Sequence, residues 1–165
     1  MHAFWGIFPI VLLLFSVSLS AEIAPVQEVK FATDVEYYPF EYLSKDKEIE
    51  GFDIDIAKAI CKSVELKCTF ELHPFDGLLV TLGFGRYDAV IAALDITTER
   101  LKSVDFSDSY YKAAPVFLSK EPLEGTFSLT GKFIGVLANS SNQNYLTQYS
   151  KENSYIVPYF SYQAA

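Results

Sequence analysis

Ala92-Ala93-Leu94-Asp95-Ile96-Thr97-Thr98-Glu99-Arg100 is the stretch on which the reading of this chain turns. It follows the apolar run Ala89-Val90-Ile91 and leads into a short polar segment, the pattern of a strand that ends in a turn and then a helical turn. In an open α/β sheet, ligands sit just beyond the carboxyl ends of the strands. Asp95, Thr97 and Arg100 therefore project where a small ligand would bind. Arg100 offers a planar fork of N–H donors that can grip a carboxylate through two parallel hydrogen bonds. Asp95 offers an acceptor for an ammonium nearby. A cation and an acceptor held side by side suit the head group of a free α-amino acid. The alternative is that Asp95 caps the turn and Arg100 makes a surface ion pair worth little.

A chain of 165 residues, half of them hydrophobic, suffices for one domain or for part of a two-lobed protein with a packed core. The formal charge of −8 argues against nucleic acid and anionic membrane surfaces as partners and is compatible with a cationic ligand. The apolar run Phe4 to Val17, followed by Ser18-Leu19-Ser20-Ala21, reads as a secretory signal cut after Ser20 or Ala21, so residues 1–21 are expected to be removed on export. The run is short for a membrane span. No Lys or Arg precedes Lys30, which leaves an uncleaved anchor as the rival reading. No Cys precedes Cys61, so a lipid-modified N-terminal cysteine is excluded.

Cys61 and Cys68 are the two cysteines, and an even count in an exported chain invites a disulfide. Cys61 falls near the end of an expected helix and Cys68 at the start of the next strand, so the bridge would staple that turn. Structural zinc needs four ligands, and only His73 lies nearby as a third. No cofactor is implied.

In chain order, Val29 to Thr33 reads as the first strand, and Phe40 to Leu43 with Ile49 to Phe52 as a hairpin around Ser44-Lys45-Asp46-Lys47. Asp53 is placed to cap a helix running to about Leu66, with Ile56, Ile60 and Val64 on its buried face. Lys67 to Leu72 is a strand, Asp76 to Phe84 a helix ended by Gly85, and Asp88 to Ala93 a strand. This alternation implies parallel pairing in an α/β fold. Ala113 to Ser119 reads as a strand and Lys120 to Gly125 as a loop. Phe133 to Leu137 reads as a strand, Asn142 to Tyr149 as a helix, and Tyr155 to Pro158 as a strand, with a new helix beginning near Ser161. Exposed N–H groups at the start of the 142–149 helix could bind an anion.

Several ordered motifs resemble one family. Phe31-Ala32-Thr33-Asp34 with Tyr37, Pro39-Phe40-Glu41, Gly51-Phe52-Asp53-Ile54-Asp55-Ile56-Ala57, and Asp105-Phe106-Ser107 with Tyr110-Tyr111 resemble the periplasmic polar-amino-acid binding proteins of ABC importers. Asp95-Ile96-Thr97-Thr98-Glu99-Arg100 looks most like the arginine-binding subgroup, and the Cys61–Cys68 spacing resembles the disulfide of the basic-amino-acid binders. The resemblance runs from about Val29 to the end of the chain.

It implies a two-lobed clamshell, with residues 22–112 as the N-terminal part of lobe I and 113–165 as hinge and partial lobe II. Members continue well past the equivalent of Ala165, so lobe II and the C-terminal part of lobe I are expected to be incomplete, and ligand binding at this length weak or lost. Residue by residue, the resemblance places Tyr37 and Phe75 on either side of the ligand side chain, where aromatic faces attract a cation. It gives Asp34 the ligand's distal cation, Arg100 the α-carboxylate, and Asp95 the α-ammonium with help from the Ala93 carbonyl. It gives Ser141 and the amides around it a carboxylate contact from the second lobe. Other readings remain for three of these: a turn-forming Asp34, a packing Phe75 and a loop-anchoring Tyr37. One departure is that Asn139-Ser140-Ser141 stands where the family has Gly before Thr-Thr; Asn tolerates left-handed backbone, and Ser can replace Thr as a hydrogen-bond partner.

The resemblance thus implies a monomeric periplasmic binder of arginine, lysine or ornithine that delivers to an ABC permease complex in the inner membrane. Two alternatives use the same fold. A periplasmic dehydratase of cyclic acids needs an acid/base group poised in the cleft. A receptor sensor domain needs a membrane span downstream.

Overall fold

A computed structural model of the chain describes residues 27–123, 129–150, 154–162 and 164. The expected signal segment, residues 1–21, lies outside them. The central sheet is built as expected from parallel strands: β1 (Glu28–Thr33) pairs with β5 (Lys67–Leu72) on one side and with β6 (Ala89–Val90) on the other. The first connection runs through a small antiparallel sheet of β2 (Glu36–Tyr37), β3 (Glu41–Leu43) and β4 (Ile49–Glu50), then helix α1 (Phe52–Ser63). The second runs through a 3₁₀ turn (Phe75–Gly77) and α2 (Leu78–Gly83). Ala32, Leu78, Tyr87 and Ala92 form the core between sheet and α2, with Phe75, Val90 and Leu94 packed on it.

A second, smaller unit follows. β7 (Phe133–Leu137) and β8 (Tyr155–Tyr159) pair in parallel, and α3 (Ser141–Tyr149) lies between them in the chain. Its core is Ile134, Val136 and Leu146, with Leu129 and Ile156 packed against it.

The start of α1 corrects one expectation. Asp53 does not cap the helix. Gly51 is the N-cap, and no side chain caps it. The N–H groups of Phe52 and Asp53 instead bond to the carbonyls of Pro39 and Phe40, each at 3.0 Å. The hairpin thus does the capping, and the Asp53 side chain turns inward. Such contact demands glycine at 51: φ is +134°, and a Cβ there would lie 2.1 Å from the Phe40 carbonyl oxygen.

The buried face of α1 is Asp53, Ile54, Ala57 and Cys61, while Ile60 and Val64 are exposed. Two tethers set this rotation. Cys61 is disulfide-bonded to Cys68 on β5, across a Cα–Cα distance of 6.1 Å, and Asp53 bonds to the turn after β6. With both cysteines so engaged, neither is available as a zinc ligand.

Other differences are local. The helix expected at 76–84 is split, because the chain makes a 3₁₀ turn before α2; Gly85, at φ +68°, ends it as read. Ala113 to Ser119 forms no strand: no described strand pairs with it, and Val116 and Leu118 are exposed. Near Ser161 there is a turn, Ala164 N–H to Ser161 carbonyl at 3.3 Å, rather than a helix.

Two outcomes test this architecture. Gly51→Ala should destabilise the protein by ~2 kcal/mol or more, because strained backbone and a steric clash coincide; an unchanged urea midpoint would show that the hairpin does not cap α1 this closely. Reducing Cys61–Cys68 should add the mass of two hydrogens to the intact protein and cost ~2–3 kcal/mol of stability, the modest end expected for a short loop; free thiols in protein taken from an oxidising compartment would refute the bridge.

Candidate ligand-binding site

The turn after β6 departs from the sheet at Ala93, whose φ of +42° is unusual for a residue with a Cβ. Its N–H donates to Asp53 Oδ2 at 2.6 Å. The turn is then closed on itself. Arg100 Nη1 donates to the Asp95 carbonyl at 2.9 Å, and the Arg100 N–H donates to Thr97 Oγ1 at 3.2 Å. The 3₁₀ turn Arg100–Lys102 has Glu99 at its N-cap and no side-chain cap, so Asp95 does not cap it.

Arg100 is half-buried, its guanidinium carbon 5.8 Å from the centre of the Phe75 ring. Burial pulls its pKa down from the usual value, and the nearby Asp95 opposes that shift. An arginine stays charged under such a shift. One of its five N–H donors is used on the Asp95 carbonyl, so the fork keeps donors for a carboxylate.

The Asp95 carboxylate accepts a hydrogen bond from the Ser141 hydroxyl. This contact joins the β6 turn to the first residue of α3. The α3 N-terminus is organised by Ser140, whose Oγ accepts from the Gln143 N–H at 3.1 Å, and by Gln143, whose side-chain oxygen accepts from the Asn139 N–H at 2.7 Å. Asn139 takes φ +58°, the left-handed backbone expected of it. Between the turn and α3 lies a cavity of about 220 Å³ lined by Phe75, Asp76, Leu79, Leu94, Thr97, Glu99, Arg100, Asn139, Ser141 and Asn144.

Phe75, Arg100 and Ser141 thus line one cavity, and Asp95 is bonded to two of them. Asp34 and Tyr37 do not line it. Asp34 follows β1, is half-buried, and accepts from the Val35 N–H at 2.7 Å. Burial raises its carboxyl above the ordinary range, the Val35 bond lowers it, and Glu36 and Asp76 raise it further. Tyr37 stacks against Tyr162, ring centres 4.3 Å apart and planes 18° apart. Burial raises the pKa of both phenols, and Asp95 adds to each.

The family model of the bacterial extracellular solute-binding proteins, family 3, matches residues 29–153. The chain belongs to this family. It is 42% identical to ABC transporter arginine-binding protein 1 of Escherichia coli K12 over 84% of its own length and 57% of that protein's. The fold is that of the two-lobed periplasmic binding proteins. It superimposes on a Salmonella typhimurium periplasmic binding protein described for high arginine specificity with a TM-score of 0.74 and 35% identity, over 84% of this chain and 62% of that one. It also matches an ancestral amino acid-binding protein described as a precursor of cyclohexadienyl dehydratase, with a TM-score of 0.77 and 28% identity, over 84% of this chain and 63% of that one. This family 3 chain therefore spans little more than half the length of that curated relative.

Two features of this family 3 site escape sequence reasoning, and a third left only a faint signal. Tyr162 reaches it from beyond β8, and no local pattern marks that return. Asp76 and Asn144 line the cavity, but each reads in sequence as an ordinary helix-start or helix-surface residue. Asp53 and Glu41 carried a signal: both are acids embedded in apolar motifs, where a solvated role is unexpected.

The phenols offer a check on this packing. Burial pushes Tyr110 and Tyr162 well above the usual value of about 10. In an alkaline titration followed by tyrosinate absorbance, Tyr110→Phe and Tyr162→Phe should each remove amplitude from the late part of the curve. Loss from the ordinary range instead would place that ring in solvent.

Proposed function

We propose that this chain binds a basic amino acid, arginine foremost, and serves as the periplasmic solute-binding component of an ABC importer. In this reading residues 1–21 direct export and are removed. Residues 22–112 supply lobe I and 113–165 the hinge and part of lobe II. The protein works as a monomer, and its partners are arginine, lysine or ornithine and an inner-membrane permease complex.

The observation that carries the reading is Arg100: a half-buried guanidinium with donors to spare, facing a cavity shared with α3. That is a carboxylate grip, and every amino acid has the carboxylate. The choice of a basic side chain rests on the acids around it. Asp34, Asp76 and Asp95 bring negative charge to the site, and Phe75 and Tyr37 bring aromatic faces that favour a cation. The arginine-binding relatives support the same choice. A binding role without catalysis also fits, since the Asp95 carboxylate is engaged by Ser141 and no histidine among the described residues lines the cavity.

Calorimetric titration up to millimolar concentrations should show arginine binding at least about tenfold tighter than glutamate, a difference of one desolvated charge contact or more. Arg100→Ala should abolish binding of every amino acid. Asp34→Asn should weaken arginine more than glutamine. Tight glutamate binding, or arginine binding untouched by Arg100→Ala, would overturn the assignment.

Asp34 also sets a pH dependence. Its carboxyl takes up a proton at higher pH than an ordinary aspartate, and the protonated form no longer attracts a cation. Arginine affinity should therefore fall on acidification before an unperturbed aspartate would titrate, and Asp34→Asn should flatten that fall. An acid limb that persists unchanged in Asp34→Asn would remove Asp34 from the cation site.

A further inference from the structure

Two acids are buried together where α1 begins. Glu41 on β3 is 1% exposed and Asp53 on α1 is 0% exposed. Asp53 Oδ2 has two donors, the Ala93 N–H at 2.6 Å and the Tyr110 hydroxyl at 2.9 Å. Its other oxygen, Oδ1, and Glu41 Oε2 are buried without a donor. The backbone brings them together: the Asp53 N–H donates to the carbonyl of Phe40, the residue before Glu41, at 3.0 Å, and the charge of Asp53 bears on Glu41. Two carboxylates there would repel in a low dielectric, and neither would be solvated. A single proton removes the repulsion and lowers the cost of keeping both groups buried.

The proton belongs to Glu41. Burial raises the pKa of both acids, but Asp53 already accepts two bonds that favour its charged form. Among the described residues no donor gives Glu41 such support, and burial together with the charges of Asp53 and Asp34 pushes it up to about 9.

The consequence falls on Ala93. Its left-handed backbone costs energy in a residue with a side chain. A short bond to a charged acceptor holds it there. Two residues later, the Asp95 carbonyl receives Arg100.

We propose that Glu41 and Asp53 work as a one-proton acid pair that positions the Ala93–Asp95 turn, and through it the Arg100 guanidinium, for the ligand. The inference rests on the amino-acid-binding reading above. Glu41 is a positioning residue: its proton lets Asp53 remain charged in the interior and keep the Ala93 N–H. The groups that bear on Glu41 are Asp53 from α1, Asp34 from the loop after β1, Tyr37 from β2, Tyr110 from the segment after the 3₁₀ turn, and Tyr162 from beyond β8. All are acids or phenols, so none neutralises the charge that appears when Glu41 loses its proton.

The test compares wild type with Glu41→Gln, which keeps shape and a donor but cannot ionise. Between about 4.5 and about 9, the native state holds a proton that the unfolded chain has released. Wild-type stability therefore drops as pH rises through that window. The Tm of Glu41→Gln minus that of wild type should climb by about 5 °C or more from pH 5 to pH 9. The NMR signal of the Ala93 amide, without ligand, should shift as wild type passes its upper titration and stay put in Glu41→Gln. The arginine Kd of wild type, relative to that of Glu41→Gln, should rise about tenfold between pH 7 and pH 10, the ratio cancelling titration of the ligand's own amine. A pH-independent Tm difference would show that Glu41 holds no proton. An Ala93 amide indifferent to the Glu41 titration would show that the pair does not govern the turn. Absence of arginine binding by wild type at every pH would sink the ligand reading instead, and the melts and the amide would then judge the pair by themselves.

Discussion

The bond from the Ala93 N–H to Asp53 ties helix α1 to the turn that carries Arg100, and the carbonyls that cap α1 tie both to the hairpin. It exists because α1 is capped from outside. The Pro39 and Phe40 carbonyls take the first helical N–H groups, so Asp53 is free to point into the interior instead of back along its own helix. That arrangement requires the backbone of residue 51 to pass against the hairpin without a side chain. One glycine, one buried carboxylate and one left-handed alanine are therefore a linked set, and loosening any of them shifts the turn.

The site joins two units of unequal size. The larger contributes Phe75, Asp95 and Arg100; the smaller contributes Asn139, Ser141 and Asn144. Among the described residues, the Ser141 hydroxyl bonds the Asp95 carboxylate across them, and the Tyr162 ring stacks on Tyr37. A hydroxyl–carboxylate bond exposed to solvent is readily exchanged for water.

Much of this was legible in the sequence where burial and periodicity agree. β5 and β7 have the bounds that alternation and apolar runs suggest, and β1 differs by one residue. Asn139 was readable from the backbone freedom of its residue type, and the disulfide from the count and place of the cysteines. The rotation of α1 was not. Ile56, Ile60 and Val64 have the right spacing for a buried stripe, but the helix is turned by its tethers at Asp53 and Cys61, which periodicity does not register. The 113–119 run shows the converse: β propensity forms no strand without a partner for its backbone groups. In the site, the β6 turn announced itself because strand, turn and charged fork are consecutive. Glu41, Asp53 and Tyr162 did not, since their roles arise from long-range contacts.

Tyr162 changes what the exposed face of Tyr37 can accept. Its ring covers one face of Tyr37 at stacking distance. Anything else that stacks on that face must evict a side chain tethered to the same polypeptide. A tether gives the resident ring an effective concentration in the millimolar range or above, and a free competitor sees an affinity diluted by the fraction of time the face lies bare. The selectivity of such a face is set partly by exchange: a guest that offers a cation to the π-cloud gains something a phenol does not, whereas a guest that offers only apolar surface merely trades like for like.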